Sequence, residues 1–336
     1  MKIKTIMIIA LLTGYLLTVN GYAAEHQKLA QTGFQFLSVT SDARAAALGD
    51  AMTSLESGSS ALFFNPAGMA NMDGFIDMTA SMNEWIADIT HNTFSLAIKP
   101  AQGRYGVLGF SAQSVNYGEF FGTRVNKKIE AGYEDTGTFE LNALAIGVGY
   151  ANQLTDRFCV GGQVRWVNQD LGDSMIPVIT TTDTTLEKAT NELTPLAFDF
   201  GTQFKTNFKS LVFGMSVRNF SQEIKYVEEG FQLPLVFNLG ISMNLMDFLA
   251  EAPYKQSLYL CVDASHYRSH PEQVKVGIDY QVMDMLSLRG GYVSSNDEDG
   301  FSFGVGLSYT GISFDYAYTP FGVFDNVKRM TVRFSL

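Results

Sequence analysis

Near its end the chain alternates with almost no errors. Apolar residues fall at Phe301, Phe303, Val305, Leu307 and Tyr309, with Ser302, Gly304, Gly306, Ser308 and Thr310 between them. After the turn at Thr310 and Gly311 the pattern resumes. Ile312, Phe314, Tyr316 and Tyr318 are set against Ser313, Asp315, Ala317 and Thr319. A period of two makes strands with one greasy and one polar face. The same signature recurs upstream. Leu196, Phe198, Phe200 and Phe204 oppose Ala197, Asp199, Gln203 and Lys205. Leu235, Phe237, Leu239, Ile241 and Met243 oppose Asn238, Gly240, Ser242 and Asn244. Val274, Val276, Ile278, Tyr280 and Val282 oppose Lys275, Gly277, Asp279 and Gln281. A chain of this kind closes its sheets into a sandwich or a barrel.

Alternation alone does not choose between a soluble fold, greasy face inward, and a membrane barrel, greasy face outward. Three other features do. Lys2 and Lys4 precede an apolar run from Ile6 to Leu17, and Gly21, Tyr22, Ala23 and Ala24 supply small residues for cleavage. This reads as a secretory signal over residues 1–24, cut after Ala23 or Ala24. Strand lengths near ten suit a tilted membrane crossing. The connections alternate between short and long, as they do between the two sides of an outer-membrane barrel. The polar face carries Arg165, Asp199, Lys205, Arg218, Asp263, Lys275, Asp279, Arg289, Asp315 and Arg333, a set that fits a polar lumen.

The spans predicted are 74–82, 91–99, 104–115, 137–151, 157–168, 194–205, 209–219, 233–246, 256–267, 272–283, 286–295, 300–310, 312–319 and 327–336. That gives an all-β, transmembrane antiparallel β-barrel of about 14 strands over residues 73–336. The stretches 116–136 and 169–193 are expected as its two longest outer loops. No second long apolar run follows the signal, so no membrane-spanning helix is expected. Mean hydropathy of +0.05 is what alternating lipid-facing and lumen-facing residues average to. A net charge of −11 argues against nucleic acid as a partner. Cys159 and Cys261 fall on the polar side of non-adjacent strands and are expected as free thiols.

Residues 25–72 differ in kind. Asp42-Ala43-Arg44-Ala45-Ala46-Ala47-Leu48-Gly49-Asp50-Ala51 is followed by Ser60-Ala61-Leu62-Phe63-Phe64-Asn65-Pro66-Ala67-Gly68. The two motifs, ARAxxLG and SALxxNPAG, resemble the start of the PorV/PorQ family of outer-membrane proteins, relatives of the FadL-type fatty-acid transporters. The sharp likeness covers about residues 33–70. It implies a fourteen-stranded barrel whose N-terminal segment folds inward as a hatch or plug. The residues suit that. Small side chains allow close packing. Asp42, Arg44 and Asp50 have inward charges to pair with. Asn65 and Pro66 set a turn, and Gly68 can take a positive φ. An amphipathic helix on the periplasmic face is the other reading of this stretch.

No catalytic motif appears: there is no nucleophile elbow, phosphate-binding loop or zinc-spaced cysteine set. No cofactor, metal or enzymatic activity is expected. His266 and His270 have metal-like spacing but sit at a strand end before Pro271. Asp297-Glu298-Asp299-Gly300 reads as an acidic hairpin tip and residues 180–185 as a Thr-rich surface loop. Trp85 and Trp166 suit the aromatic belts of the membrane interface. Tyr117, Phe120, Phe121, Phe321 and Phe324 are the apolar residues of the outer loops and candidates for binding. Partners follow from the resemblance. Beyond outer-membrane lipid, it implies secreted cargo proteins and attachment components of type IX secretion, for which the chain would be a carrier or attachment accessory. The alternative is a FadL-like channel taking up long-chain fatty acids or another hydrophobic small molecule.

Overall fold

The computed structural model describes residues 32–126, 129–179, 184–226, 229–249, 254–295 and 300–336. The signal segment, the acidic tip at 297–299 and most of the Thr-rich loop lie outside them.

Fourteen antiparallel strands close into a ring. The first five are β1 (Ile76–Glu84), β2 (Thr90–Ile98), β3 (Val107–Val125), β4 (Tyr133–Thr155) and β5 (Phe158–Ile179). One wall strand is split into β6 (Thr184–Leu193) and β7 (Leu196–Lys205). Both halves pair with β5. The break falls at Pro195, which has no N–H to give the ladder, though its carbonyl still accepts from Val167 N at 3.0 Å. Next come β8 (Val212–Phe220), a small outlying hairpin of β9 (Ile224–Tyr226) and β10 (Glu229–Phe231), then β11 (Val236–Asn244) and β12 (Gln256–Tyr267). The wall is completed by β13 (Gln273–Val282), β14 (Leu286–Val293), β15 (Phe301–Tyr309), β16 (Ile312–Thr319) and β17 (Val327–Ser335). β17 pairs with β1, from Asp77 opposite Ser335 to Glu84 opposite Lys328, and closes the barrel. No sheet edge is left along the membrane-crossing wall, which is why a barrel can live in lipid.

The greasy face looks outward. Leu196, Phe200, Phe204, Leu239, Ile241, Phe303, Leu307 and Phe314 are exposed, while their neighbours Ala197, Asp199, Gln203, Ser242, Ser302 and Asp315 are buried. This is a membrane barrel inside out relative to a soluble one, and it is integral to the outer membrane. Cys159 and Cys261 are both free and buried.

Two expectations are corrected. The stretches 116–136 and 169–193 are mostly strand: β3 runs to Val125 and β4 starts at Tyr133, while β5 runs to Ile179 and β6 starts at Thr184. The described residues of these extensions are exposed or half-buried on both faces, so no greasy face marks them. Bulges at Asn116/Glu119, Gly122/Thr123 and Asp170/Asp173 also break the period of two. Trp85 is not a belt residue. Its ring packs against Phe321 (centroids 5.0 Å apart) and under the Arg329 guanidinium (5.5 Å). Trp166 does face outward, 42% exposed.

Candidate functional site: the occupied lumen and the outer mouth

Residues 32–72 run through the lumen, and the wall satisfies their backbone. The segment has only short helical turns, among them Ala43–Ala47 and Pro66–Asn71, so many of its peptide groups need outside partners. Asp263 accepts from Thr53 N at 2.9 Å, Asp77 from Ser59 N at 2.8 Å and Thr331 Oγ1 from Ala43 N at 2.8 Å. In the other direction Gln113 donates to the Phe36 carbonyl, Asn83 and Arg329 to that of Thr40, and Gln203 to that of Leu55. Donors and acceptors come from strands all round the ring.

The wall is also carved to fit. A Cβ at Gly201 would strike Asn65, one at Gly161 the Pro66–Ala67 peptide and one at Gly214 the Thr53 carbonyl. Gly277 and Gly291 do the same for Leu48 and Gly49, and Gly304 for Ala47. These glycines lie on separate strands and share one face. A lumen-facing glycine on strand after strand is a signal the sequence carried and that reading for catalytic motifs missed.

The motif residues have distinct places. Ala43, Ala45 and Ala67 are fully buried. Asp42 caps the Ala43–Ala47 helix, accepting from Ala45 N at 2.9 Å. Burial pushes its carboxyl up from the usual range, opposed by that N–H. Arg44 reaches Asp279 at 3.3 Å. Burial, the largest single influence, works against its charge, but the surrounding carboxylates of Asp279, Asp315 and Asp42 together hold the guanidinium above its ordinary value. Asp279 also binds Arg289 at 3.1 Å, and Arg289 binds Asp315 at 2.5 Å. Asp50 lies 3.9 Å from Lys275. Gly49 and Asp50 take positive φ, the turn by which the chain passes Tyr292.

Asn65 accepts from Ala67 N at 3.2 Å and donates to the carbonyls of Thr53 (2.6 Å) and Thr202 (3.0 Å). It ties two parts of the segment to each other and to β7. Pro66 opens the next helical turn. Gly68 does not use the positive φ expected of it. It is there for space, since a Cβ would sit 3.2 Å from both Ala61 Cβ and the Leu55 carbonyl.

At the long-hairpin end is a cavity of about 1020 Å³ between residues 32–34, the β5–β6 extension and the β9–β10 hairpin. Its apolar side is Phe34, Leu171, Leu193 and Phe231. Its polar side includes Glu223, Glu229 and Arg268. Thr32 bridges to Gln232, and Gly33 N donates to the Gln232 carbonyl at 3.2 Å. The outer-loop aromatics do not form one patch. Tyr117 packs on the cluster around Phe34, Phe36 and Leu233. Phe120 stacks on Phe139 (5.8 Å) and Phe121 is almost fully exposed. Phe321 is nearly buried between Trp85 and Phe324. Among the described residues no set of His, Cys, Asp and Glu converges on a metal site. His266 leans on Glu272, and His270 on Ser269 and Tyr267.

Several solved structures share the fold. The toluene transporter TbuX of Ralstonia pickettii aligns over 87% of this chain and 97% of its own, with a TM-score of 0.57 at 12% identity. A monoaromatic hydrocarbon channel, CymD, aligns over 92% and 99% with a TM-score of 0.57 at 11% identity. A FadL homologue from Pseudomonas aeruginosa aligns over 88% and 98% with a TM-score of 0.52 at 14% identity. No curated protein matches the chain. The model of one family, described as the type IX secretion system membrane protein PorP/SprF, matches residues 109–320, from β3 to the end of β16. The resemblance read from residues 33–70 lies wholly outside that match, which names PorP/SprF in place of PorV/PorQ. With the greater part of its barrel wall matched, the chain belongs to the PorP/SprF family of type IX secretion system membrane proteins.

Proposed function

We propose that this barrel is a PorV/PorQ-type accessory of type IX secretion, a carrier or surface-attachment component that engages secreted proteins at its outer end. The family match over the wall supports the type IX secretion part of this reading, and the motifs between residues 33 and 70 are what favour the PorV/PorQ role within it. Two features of the molecule support it. The N-terminal segment is bonded to wall strands round the ring, which favours a barrel that offers surfaces over one that offers an open passage. The outer cavity sets Glu223 and Glu229 against a single cation, Arg268. That balance repels an anionic fatty acid and accommodates a protein segment.

The test is mass spectrometry of what co-purifies with the mature protein from gently solubilised native outer membrane, scoring proteins and lipids together. Secreted proteins sharing a common C-terminal domain, or attachment components, are the expected partners. A stoichiometric fatty acid or other hydrophobe without them would replace this reading with hydrophobe uptake.

A further inference from the structure

The first described residues begin a parallel ladder. Thr32 lies opposite Gln232 in a parallel bridge, and Gly33 N donates to the Gln232 carbonyl at 3.2 Å. Phe34 follows with its ring stacked on Phe231, centroids 6.1 Å apart. Gln232 continues β10, and β9 takes one edge of that strand, with Ile224 opposite Phe231 and Tyr226 opposite Glu229. Backbone groups point to alternate edges along a strand. Gly230 therefore turns its N–H and carbonyl to the same edge as Gln232. Beyond the Thr32 bridge no strand lies on that edge among the described residues. The edge borders the outer cavity, whose lining includes Thr32, Gly33, Gly230 and Phe231. An edge of this kind is a template for a further strand.

We propose that the chain's own residues 28–31 carry this ladder on along β10 and fill the outer cavity. In a parallel ladder the residue that accepts from one N–H donates to the carbonyl two positions earlier on the neighbouring strand. Gln232 then donates to the Gln31 carbonyl. Gly230 accepts from Gln31 N and donates to the Leu29 carbonyl. The register also fixes the side chains, since residues two apart share a face. Leu29 and Gln31 fall on the face of Phe231, where Leu29 joins the apolar side of the cavity. Ala30 falls beside Gly230, over which the Glu223 side chain lies, so that a Cβ at Gly230 would strike its carboxylate. Lys28 comes next on that face, with Glu223 as its counter-charge. A partner's strand or a second copy is the poorer occupant. Gln31 is bonded to Thr32 at the head of this edge, and a tethered segment competes at a high effective concentration. The ladder carries this inference by itself. The secretion reading adds one consequence, that a cargo segment enters the cavity by displacing residues 28–31.

The experiment is amide hydrogen exchange, read by NMR, on the barrel in phosphatidylcholine nanodiscs, intact and lacking residues 25–31. Gly230 N–H is expected to exchange about tenfold or more slowly in the intact chain. The Phe231 amide, which faces β9, should be the same in both. Gln31→Pro removes one ladder N–H without shortening the chain and should speed Gly230 exchange likewise. Carbodiimide coupling of the intact chain, followed by mass spectrometry, should join Lys28 to Glu223. Equal Gly230 exchange in the intact and shortened chains overturns the proposal. So does coupling of Lys28 only to another molecule, read from mixed light and heavy isotope-labelled chains, which would give the edge to a second copy. Should the deletion also release Phe231, the hairpin has opened and Gln31→Pro decides, with unchanged Gly230 exchange overturning the proposal. If secreted proteins co-purify while Gly230 exchanges equally in both chains, the secretion reading stands and this inference fails. If the wild type carries only hydrophobes while Gly230 is protected, the added strand stands and the secretion reading fails.

Discussion

The lower lumen and the projecting β3–β6 sheet are built from one continuous set of strands but obey opposite rules. In the lumen most wall charges meet counter-charges or peptide groups, and Arg218 lies over the Phe64 ring, 5.9 Å from its centroid. Asp199 accepts from Arg165 (2.8 Å), Gln163 (3.1 Å) and Asn219 N (2.7 Å), Asp279 binds two arginines, and Arg333 holds Asp77 at 2.7 Å. In the extensions the pairs that form are exposed, such as Arg124 with Glu134 and Lys188 with Asp173, and Phe121 is left open to solvent. The difference follows from solvent. A buried charge without a partner costs several kcal/mol, whereas an exposed group costs almost nothing to leave open. Regions that stay unsatisfied at little cost are the ones free to bind something else.

The largest expected effect comes from breaking the lumen side. Deleting residues 33–70 should raise the ion conductance of the reconstituted barrel severalfold; conductance equal to the intact protein's would count against a hatch. Next, Asp279→Ala strands Arg44 and Arg289 in the interior and should cost about 3–5 kcal/mol, read as a lower denaturant midpoint for unfolding in detergent. An unchanged midpoint would mean that water already reaches those groups. Gly201→Leu should displace Asn65 and act like a mild form of the deletion, with added conductance but an intact barrel. Asn65→Ala keeps the space and removes the cap, at about 1–2 kcal/mol. On the projecting sheet, Phe120→Ala loses its ring partner Phe139 and should cost only about 0.5–1.5 kcal/mol, with conductance unmoved. A larger loss there would erase the contrast between the two regions.

The sequence carried the wall well where one face meets lipid and the other does not. The alternation over β7, β11, β13, β15 and β16 is legible because a slip of one residue would turn Asp199 or Asp279 into hydrocarbon. The same logic failed for 117–125 and 133–136. Water on both faces removes the selection for alternation, and strand was read as loop. The candidate site divides the same way. Small residues and the Asn65-Pro66 turn were visible, but which wall groups they meet was not. The Ala43 N–Thr331 bond spans nearly the whole chain, and local pattern carries no information at that separation.

By itself the sequence determined the class of fold, the number of wall strands, the polar inside and the free thiols, because these follow from a period of two and a count of turns. Only the tertiary structure decided the path of residues 32–72 through the lumen. It also decided the use of Gly201, Gly161 and Gly291 as clearance for that path, and the withdrawal of Trp85 and Phe321 from the surface. Each of these depends on which strands closure brings together. Closure is a property of the whole ring, set by the β17–β1 pairing across more than 250 residues of chain, and no window of sequence contains it.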